Sequence, residues 1–184
     1  MIRKTLLLAL PLALAACGQS EPTPEPEASL ASASDPQGDA LIIVDADGLG
    51  AKGSERLGFG TARAEVDAAL EGAFGAAPDR SSNDECGAGP MEFSAFGPLQ
   101  VAYLDGRLAG WFLGEGKGVA TSDGVRPGAT SLAALQREHE VRRLDTTLEG
   151  EFEYTTASYG TITGFAGAEG SITGLAAGVT CFFR

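Results

Sequence analysis

The sequence is short of positive charge and lacks any long basic cluster. Lysine and arginine total 13 against 25 aspartate and glutamate residues, which gives a formal net charge of −12 at pH 7. No basic cluster is longer than the pair Arg142–Arg143. A protein that binds nucleic acid needs a positive surface to meet the phosphates. The composition therefore excludes a nucleic-acid partner, and the acidic balance suits solubility or, at most, a basic partner.

The sequence is also poor in groups that catalyse reactions. His139 is the only histidine, and it lies in QREHEVRR, where a helix would place it on a charged, solvated face. Adjacent helical positions do not share a face, so Glu138 and Glu140 do not join it around one metal ion. A general base needs a partner within hydrogen-bond reach, and no nucleophile motif supplies one.

Two acidic stretches resemble functional motifs only in part. The stretch Asp45–Gly48 starts like an EF-hand loop, but Leu49 and Arg56 stand where the fifth and twelfth positions need oxygen ligands. Glu151 and Glu153 share one face of an expected strand, and a solvated strand edge is favoured over a catalytic pair. We therefore expect a non-enzyme with no metal and no small-molecule cofactor. The alternative is a periplasmic hydrolase of unknown substrate.

No apolar run is long enough to span a membrane. The run TLLLALPLALAA has 12 residues and is interrupted by Pro11, whereas a spanning helix needs about 20 residues. It follows Arg3 and Lys4, and a basic start before a short apolar run is typical of a secretory signal peptide. We predict that residues 1–16 are such a signal.

The residues that close this signal resemble a bacterial lipobox. They read Leu14-Ala15-Ala16-Cys17. The resemblance implies that the Cys17 sulfur is diacylated, that cleavage precedes it, and that the new N-terminus is acylated, and two or more acyl chains anchor a protein stably. Gly18, where an aspartate would signal retention at the inner membrane, implies anchoring to the outer membrane, facing the periplasm. The alternative is an ordinary cleavage site that happens to precede a cysteine.

Residues 17–39 have little that could form a core. After Cys17 they contain five acidic residues, no basic residue, several prolines and Leu30 as the only large apolar residue. Such a segment buries too little surface to offset the entropy of ordering it. We predict a disordered, acidic, proline-rich tether between the lipid anchor and a folded part that begins near Ala40.

Cysteines are few, and lipidation leaves only Cys86 and Cys181. No Cys-x-x-Cys is present, so neither a redox motif nor a zinc site is indicated. An even remainder in an exported chain predicts a disulfide bond between the two. Two unpaired buried thiols are the alternative.

What the sequence does contain is an internal similarity. DGRLAGWFLG, residues 105–114, matches EGSITGLAAG, residues 169–178, and LGFGTARAEV, residues 57–66, matches VRPGATSLAA, residues 125–134, in the same order. A repeated order of motifs predicts repeated structural units. We predict two units, which we place at residues 40–118 and 119–184.

Each unit shows a helical pattern followed by strand patterns. TARAEVDAALEGAF has helical spacing, with Thr61 as a candidate cap and Gly75 as its end, and Thr130 or Ser131 is a candidate cap in the second unit. The stretches after each helix alternate as strands do, with Asp105-Gly106 as a hairpin turn. The predicted fold class is α+β, with two tandem repeats, each a short helical layer packed on an antiparallel β-meander.

The motifs of these units resemble two known families. The segments Gly60–Val66 and Asp105–Leu108, with Gly128–Ala134 and Glu169–Ile172 in the second unit, resemble the tandem units of β-lactamase-inhibitor-like proteins and the single unit of BamE/SmpA-type outer-membrane assembly lipoproteins. The resemblance covers roughly residues 55–184 and implies a helical layer behind a sheet whose other face grips a partner protein. The second unit lacks the acid after its helix start, and no inhibitor contact residue carries over.

The apolar strands contain the candidate partner-binding residues. Val101 and Tyr103 share one face of a strand, and Trp111 and Leu113 share one face of the next, while Phe112 points to the opposite face. Both faces of the second strand are therefore apolar. Either the neighbouring unit covers the extra apolar face, or the face is an exposed patch for an envelope protein partner.

Overall fold

The computed structural model describes residues 35–156 and 160–181. The predicted signal peptide, the lipidation site Cys17 and most of the tether lie outside the described residues. Two helices and twelve strands occur in the described part, in the order β1 Ile42–Asp45, β2 Gly48–Ala51, β3 Leu57–Gly58, α1 Arg63–Phe74, β4 Asp79–Asn83, β5 Met91–Phe96, β6 Leu99–Leu104, β7 Arg107–Gly114, β8 Val119–Thr121, α2 Leu132–Glu138, β9 Val141–Arg143, β10 Glu151–Thr156, β11 Gly160–Ala166 and β12 Ile172–Gly178.

The strands form two sheets. The larger has eight strands in the order β4-β5-β6-β7-β12-β11-β10-β9, and every neighbouring pair is antiparallel. The smaller has four strands in the order β3-β2-β1-β8, in which β1 and β8 are parallel. The main core lies between one face of the large sheet and the layer made by α1, α2 and the small sheet, because residues of all these elements join one buried apolar cluster.

The α+β fold-class prediction is wrong. The fold is mostly β, and its two helices have only 12 and 7 residues. A helix followed by four strands does occur twice along the chain, but the strands of both sets join into one sheet because β7 pairs with β12. Trp111 lies opposite Ala177 and Leu113 opposite Leu175 in that pairing, so apolar residues of the two strands lie side by side in the sheet.

The small sheet contains strands that the sequence analysis did not assign. Ile42, Ile43 and Val44 are β-branched, a strand signal, and Asp45 pairs with Gly48 across a two-residue turn. Strand β8 begins at Val119, the predicted start of the second unit, and pairs with β1 from the first unit. The two predicted units thus share this sheet as well as the large one.

The matched sequence motifs correspond to matched backbone hydrogen bonds. The Gly60 N–H donates to the Leu108 carbonyl at 2.8 Å, and the Gly128 N–H donates to the Ile172 carbonyl at 2.7 Å. Each bond ties the turn before a helix to the strand that follows a hairpin turn. The similarity therefore reflects how each helix start is fixed to the large sheet.

Local signals predicted the end of α1 and the start of α2, but not the start of α1. Helix α1 ends at Gly75, whose φ of 68° is the left-handed conformation that favours glycine. Its start at Ala62 has no side-chain cap, and the Thr61 hydroxyl donates to the Gly58 carbonyl instead. The Ser131 hydroxyl accepts from the Ala134 N–H and caps α2 as predicted.

The predicted disulfide bond is confirmed. Cys86 and Cys181 are bonded, their α-carbons are 5.2 Å apart, and 95 residues of sequence separate them. The bond lies on the face of the large sheet away from the main core, in a small cluster with Met91, Phe93 and Ala102. It fixes the end of β12 to the segment between β4 and β5.

Candidate functional site

The four candidate partner-binding residues lie in the core. Val101, Tyr103 and Trp111 are completely buried, and Leu113 is 1% exposed. The Trp111 indole N–H donates to the Asp45 carbonyl at 2.8 Å, which places the indole under the small sheet. The exposed-patch interpretation is therefore wrong, because the small sheet and the helices cover this face of β7.

A wide groove lies between helix α1 and strand β4. Its volume is about 810 Å³, and it is open to solvent. Residues on one face of α1 form one wall of the groove, and the edge strand β4 with Glu92 of β5 forms the other. The lining residues are Arg63, Ala64, Asp67, Ala68, Glu71, Arg80, Ser81, Ser82 and Glu92. We call it the α1–β4 groove. None of these residues was given a functional role from the sequence, although Arg63 and Ala64 lie in the segment Gly60–Val66 and the polar segment DRSSN after a helix was a visible sign of an exposed strand.

Asp67 is the buried centre of the groove. It lies on the buried face of α1 and is only 4% exposed. The Tyr103 hydroxyl donates to Asp67 Oδ1 at 2.7 Å, and Arg80 Nη2 donates to Oδ2 at 3.0 Å. Arg63 Nε lies 3.4 Å from the same Oδ2. Asp67 therefore joins the helix, the edge strand β4 and the central strand β6.

Arg63 completes this network. Its Nη1 pairs with Glu92 Oε1 at 2.8 Å, its Nη2 donates to Ser94 Oγ at 3.3 Å, and its guanidinium lies 5.0 Å from the centre of the Tyr103 ring. All three guanidinium nitrogens of Arg63 thus have partners in the fold. Arg80 differs, because its side chain is 59% exposed and borders the open side of the groove.

The electrostatics of the network shift the pKa values of Asp67 and Tyr103 in opposite directions. Burial acts to raise the pKa of Asp67, but hydrogen bonds from Tyr103 and Ser94 and the charge of Arg63 outweigh it and lower the pKa. Burial, and next the hydrogen bond to Asp67, raise the pKa of Tyr103 far above its usual value. Asp67 is thus a stable anion and Tyr103 a stable neutral phenol at neutral pH. Neither pKa suits a general acid or base.

Strand β4 leaves one edge of the large sheet open. Among the described strands it pairs only with β5, and its residues Asp79 to Ser82 are exposed. An edge strand presents unpaired backbone N–H and C=O groups on its outer side. The α1–β4 groove runs along this strand, so a molecule in the groove meets both the helix and the free backbone edge.

His139 is less exposed than the sequence analysis predicted. It follows the last residue of α2, and its side chain is 16% exposed. Its Nε2 lies 3.2 Å from Asp123 Oδ2, and its ring packs edge-on against Tyr154 with the centres 5.5 Å apart. The prediction of a solvated histidine is wrong. Within residues 35–156 and 160–181, however, no hydroxyl or thiol is hydrogen-bonded to His139, so the pair with Asp123 lacks an aligned nucleophile.

The other acidic residues considered in the sequence have structural partners. Asp45 is 4% exposed, accepts a hydrogen bond from the Ser122 hydroxyl and lies 3.7 Å from Arg56. Burial raises the pKa of Asp45, and the Ser122 bond and the Arg56 charge offset only part of that effect. Glu153 pairs with Arg142, whereas Glu151 is buried and accepts a hydrogen bond from the Thr146 hydroxyl. The two glutamates therefore contact different partners.

The described residues contain neither a metal cluster nor a membrane-spanning helix. No group of three or more histidine, cysteine, aspartate and glutamate side chains there is arranged to hold a metal ion. Neither of the two described helices has the length and apolar character needed to cross a membrane.

Comparisons with known proteins return nothing for this sequence. No family model, no curated protein and no solved structure matches the chain. The site is therefore interpreted from its own geometry.

Proposed function

We propose that this protein is a non-catalytic, lipid-anchored protein of the bacterial envelope that binds a partner protein in the α1–β4 groove. The supporting observation is the pairing of a wide groove with an open strand edge, fixed in place by the buried Asp67 network. Backbone edges are surfaces that extended peptides recognise. A groove with both a helical wall and a strand edge offers contacts to the side chains and to the backbone of a partner.

The proposed anchor rests on the sequence. Cys17 follows a short apolar run and precedes the acidic tether, so lipidation would hold the folded part near the outer membrane while leaving it in the periplasm. The resemblance of the chain to β-lactamase-inhibitor-like and BamE/SmpA-type units agrees with a binding role, since units of those families contact other proteins. We propose no cofactor for this function.

A periplasmic hydrolase is the competing proposal, and the contact between His139 and Asp123 is the observation that favours it. A hydrolase of this kind needs a nucleophile on the free side of the imidazole. Turnover in a broad hydrolase screen that is lost in His139→Ala, in a variant that stays folded, would establish this function. Turnover that is absent, or unchanged in His139→Ala, would remove it.

Site-specific crosslinking in whole cells tests the binding proposal. A photo-reactive residue at Ala68, which is exposed on the helical wall of the groove, should form an adduct with one dominant envelope protein. The same residue at Thr155, which is exposed on β10 in the other half of the large sheet, is the matched control. A dominant adduct at Ala68 and none at Thr155 supports the proposal. No adduct at Ala68, or the same adducts at both positions, contradicts it.

A further inference from the structure

We propose that an extended, basic segment of the partner protein adds to β4 as a ninth strand of the large sheet. This inference rests on the proposed binding function and specifies the chemistry of the partner. It follows from three features of the described residues: the direction of the backbone groups in β4, the space beside α1, and the excess of negative charge around the groove.

The hairpin between β5 and β6 determines which backbone groups of β5 turn toward β4. Phe96 pairs with Leu99 across a two-residue loop, and such a closing pair exchanges hydrogen bonds. Alternate residues of an antiparallel strand bond to opposite neighbours. Phe96 therefore bonds to β6, and Phe93 and Ala95 direct their N–H and C=O groups to β4.

The same alternation continues into β4. Phe93 lies opposite Ser81 and Ala95 opposite Asp79, so these two β4 residues bond to β5. The backbone groups of Arg80 and Ser82 consequently point to the open edge. An added strand would bond to these two residues first.

The helical wall leaves room for side chains of an added strand. Ala64 and Ala68 are exposed and line the groove one helical turn apart. Alternate side chains of an added strand would point toward α1 and meet these small residues, while the others would point to the opposite face of the sheet.

The charge around the groove selects a basic segment. Residues 63–92, from the start of α1 to the groove-lining Glu92, contain seven acidic residues and two arginines, a net charge of −5. Both arginines already pair with acidic groups, Arg63 with Glu92 and Arg80 with Asp67. The unbalanced acidic residues include Asp79 within β4 and Asp84 and Glu85 just after it. Lysine or arginine in the incoming segment would complement this surface.

The same charge argues against a second copy of this chain as the occupant. The full sequence has a net charge of −12 and the segment 63–92 one of −5, and two like-charged edges repel each other. Charged residues on an edge strand are a common protection against pairing between copies. They leave pairing with an oppositely charged segment available.

The direct test uses a defined peptide and the full mature chain. The probe is acetyl-Lys-Val-Lys-Val-Lys-Val-Lys-amide, and its control carries glutamate at each lysine position. We expect the lysine peptide to bind at least about tenfold more tightly, with an affinity that falls as salt rises. Hydrogen exchange should show that it protects the amides of Arg80 and Ser82. Equal binding of the two peptides, or protection away from β4, would overturn the inference.

A proline substitution tests the backbone contact. Ser82→Pro removes an N–H that points outward, so the pairing of β4 with β5 should survive, because proline is tolerated at an outward position of an edge strand. The matched control Ser82→Ala keeps that N–H. We expect Ser82→Pro, but not Ser82→Ala, to weaken peptide binding at least about tenfold. Unchanged binding in a folded Ser82→Pro protein contradicts strand addition.

Two further measurements keep the outcomes separable. If Ser82→Pro unfolds, the unmodified protein is tested instead with lysine peptides that are N-methylated at alternate residues. Methylation of one of the two alternating sets of residues should abolish binding, and methylation of the other set should not. Sedimentation that shows a dimer lost in Ser82→Pro would overturn the inference in favour of a second copy. An adduct at Ala68 in cells without peptide binding would overturn the inference and leave the binding function standing.

Discussion

Asp45 and Asp67 are both buried aspartates, but their surroundings shift their pKa values in opposite directions. Burial dominates at Asp45 and raises its pKa, whereas at Asp67 the hydrogen bonds and the arginine charge outweigh burial and lower the pKa. The two residues are 4% exposed, so they can be compared directly. Asp67 should contribute to the stability of the fold as an anion, while the charge of Asp45 should oppose it.

The first prediction compares Asp67→Asn with Asp45→Asn. A lowered folded-state pKa gives stability that is fully present above the unfolded pKa and is lost as pH falls through the folded pKa. Asp67→Asn should therefore cost about 2 kcal/mol at pH 7, since it removes charged hydrogen bonds. This cost should be fully present above about pH 5 and should shrink as pH falls below about 4, toward the lowered folded-state pKa. Urea unfolding across this pH range measures it.

Asp45→Asn is the matched control, and the sign is reversed. With a raised folded-state pKa, the native protein takes up a proton before the unfolded chain does, so the wild type gains stability as pH falls through the folded pKa. Asp45→Asn should stay within about 1 kcal/mol of wild type at pH 7, or be more stable. The same pH dependence in both variants would contradict the assignment of the two environments.

A second prediction at this scale concerns Trp111. Because the indole is fully buried and donates to the Asp45 carbonyl, Trp111→Ala should lower the free energy of unfolding by about 3–5 kcal/mol. Trp111→Phe, which keeps most of the volume but removes the donor, should cost less. A melting temperature that hardly changes in Trp111→Ala would mean that the side chain is not in the core.

Sequence patterns predicted which residues share a face but not what covers that face. Alternation correctly grouped Trp111 with Leu113, yet the small sheet and the helices that cover this face are not adjacent to β7 in sequence. The burial of Asp67 was unpredictable for the same reason. Asp67 lies on the helix face that packs against the core, but its partners Arg80 and Tyr103 come from strands β4 and β6. Local patterns do not contain such long-range partners.

The strands β10 and β11 show close packing of a ring on a glycine. Gly164 lies opposite Phe152, and a methyl group at Gly164 would overlap the fully buried Phe152 ring. Gly164→Ala should therefore destabilise the protein by about 1–3 kcal/mol through overpacking. Gly167→Ala is the control, since its added methyl would meet Thr173 at an ordinary distance of 3.5 Å. Thermal unfolding of both variants checks this, and equal stability would contradict the packing.

The sequence predicted the six inner strands of the large sheet because their signals are local, but it missed the two edge strands, β4 and β9. The alternation of β5, β6 and β7 and the turn at Asp105-Gly106, both at positive φ, appear in the structure as expected. The small sheet was missed because β3 has only two residues and β8 only three. Strands this short give little alternation to detect, and β8 acquires its partner only through the tertiary fold.

The disulfide bond ties the end of β12 to the segment before β5. It closes a loop across 95 residues, for which the chain-entropy model gives up to about 4.7 kcal/mol, and real bridges often give less. We expect replacement of Cys86 and Cys181 by alanine to cost about 2–4 kcal/mol. Urea unfolding with and without reductant measures the effect in the wild type. An unchanged midpoint under reductant would contradict it.

The arrangement of the whole molecule was only partly accessible from the sequence. The disulfide bond followed from counting cysteines in an exported chain, whereas the recurring motifs were interpreted as two tandem units and only the structure shows that they fix each helix start to the large sheet. The joining of the strands into one eight-stranded sheet was not predicted. The pairing of β7 with β12 connects two strands that are separated along the chain by α2 and four other strands. Competing sheet orders satisfy the same local patterns.

The proposed anchor gives a prediction for the whole chain. Cys17→Ser removes the sulfur that would be acylated, so the variant should be uncleaved or appear in the soluble periplasmic fraction instead of the membrane. Fractionation and mass measurement of the N-terminus check this outcome. Unchanged membrane association, with the signal still removed at the same place, would contradict the lipoprotein proposal.

The central claim is that a partner strand joins the open edge of β4, and one measurement in cells tests it most directly. The yield of the photo-crosslinked adduct at Ala68 is compared in Ser82→Pro and Ser82→Ala backgrounds at equal protein levels. The account predicts that the adduct persists in Ser82→Ala and falls at least about tenfold in Ser82→Pro, because only proline removes the outward N–H. An adduct of equal yield in both backgrounds would contradict the claim.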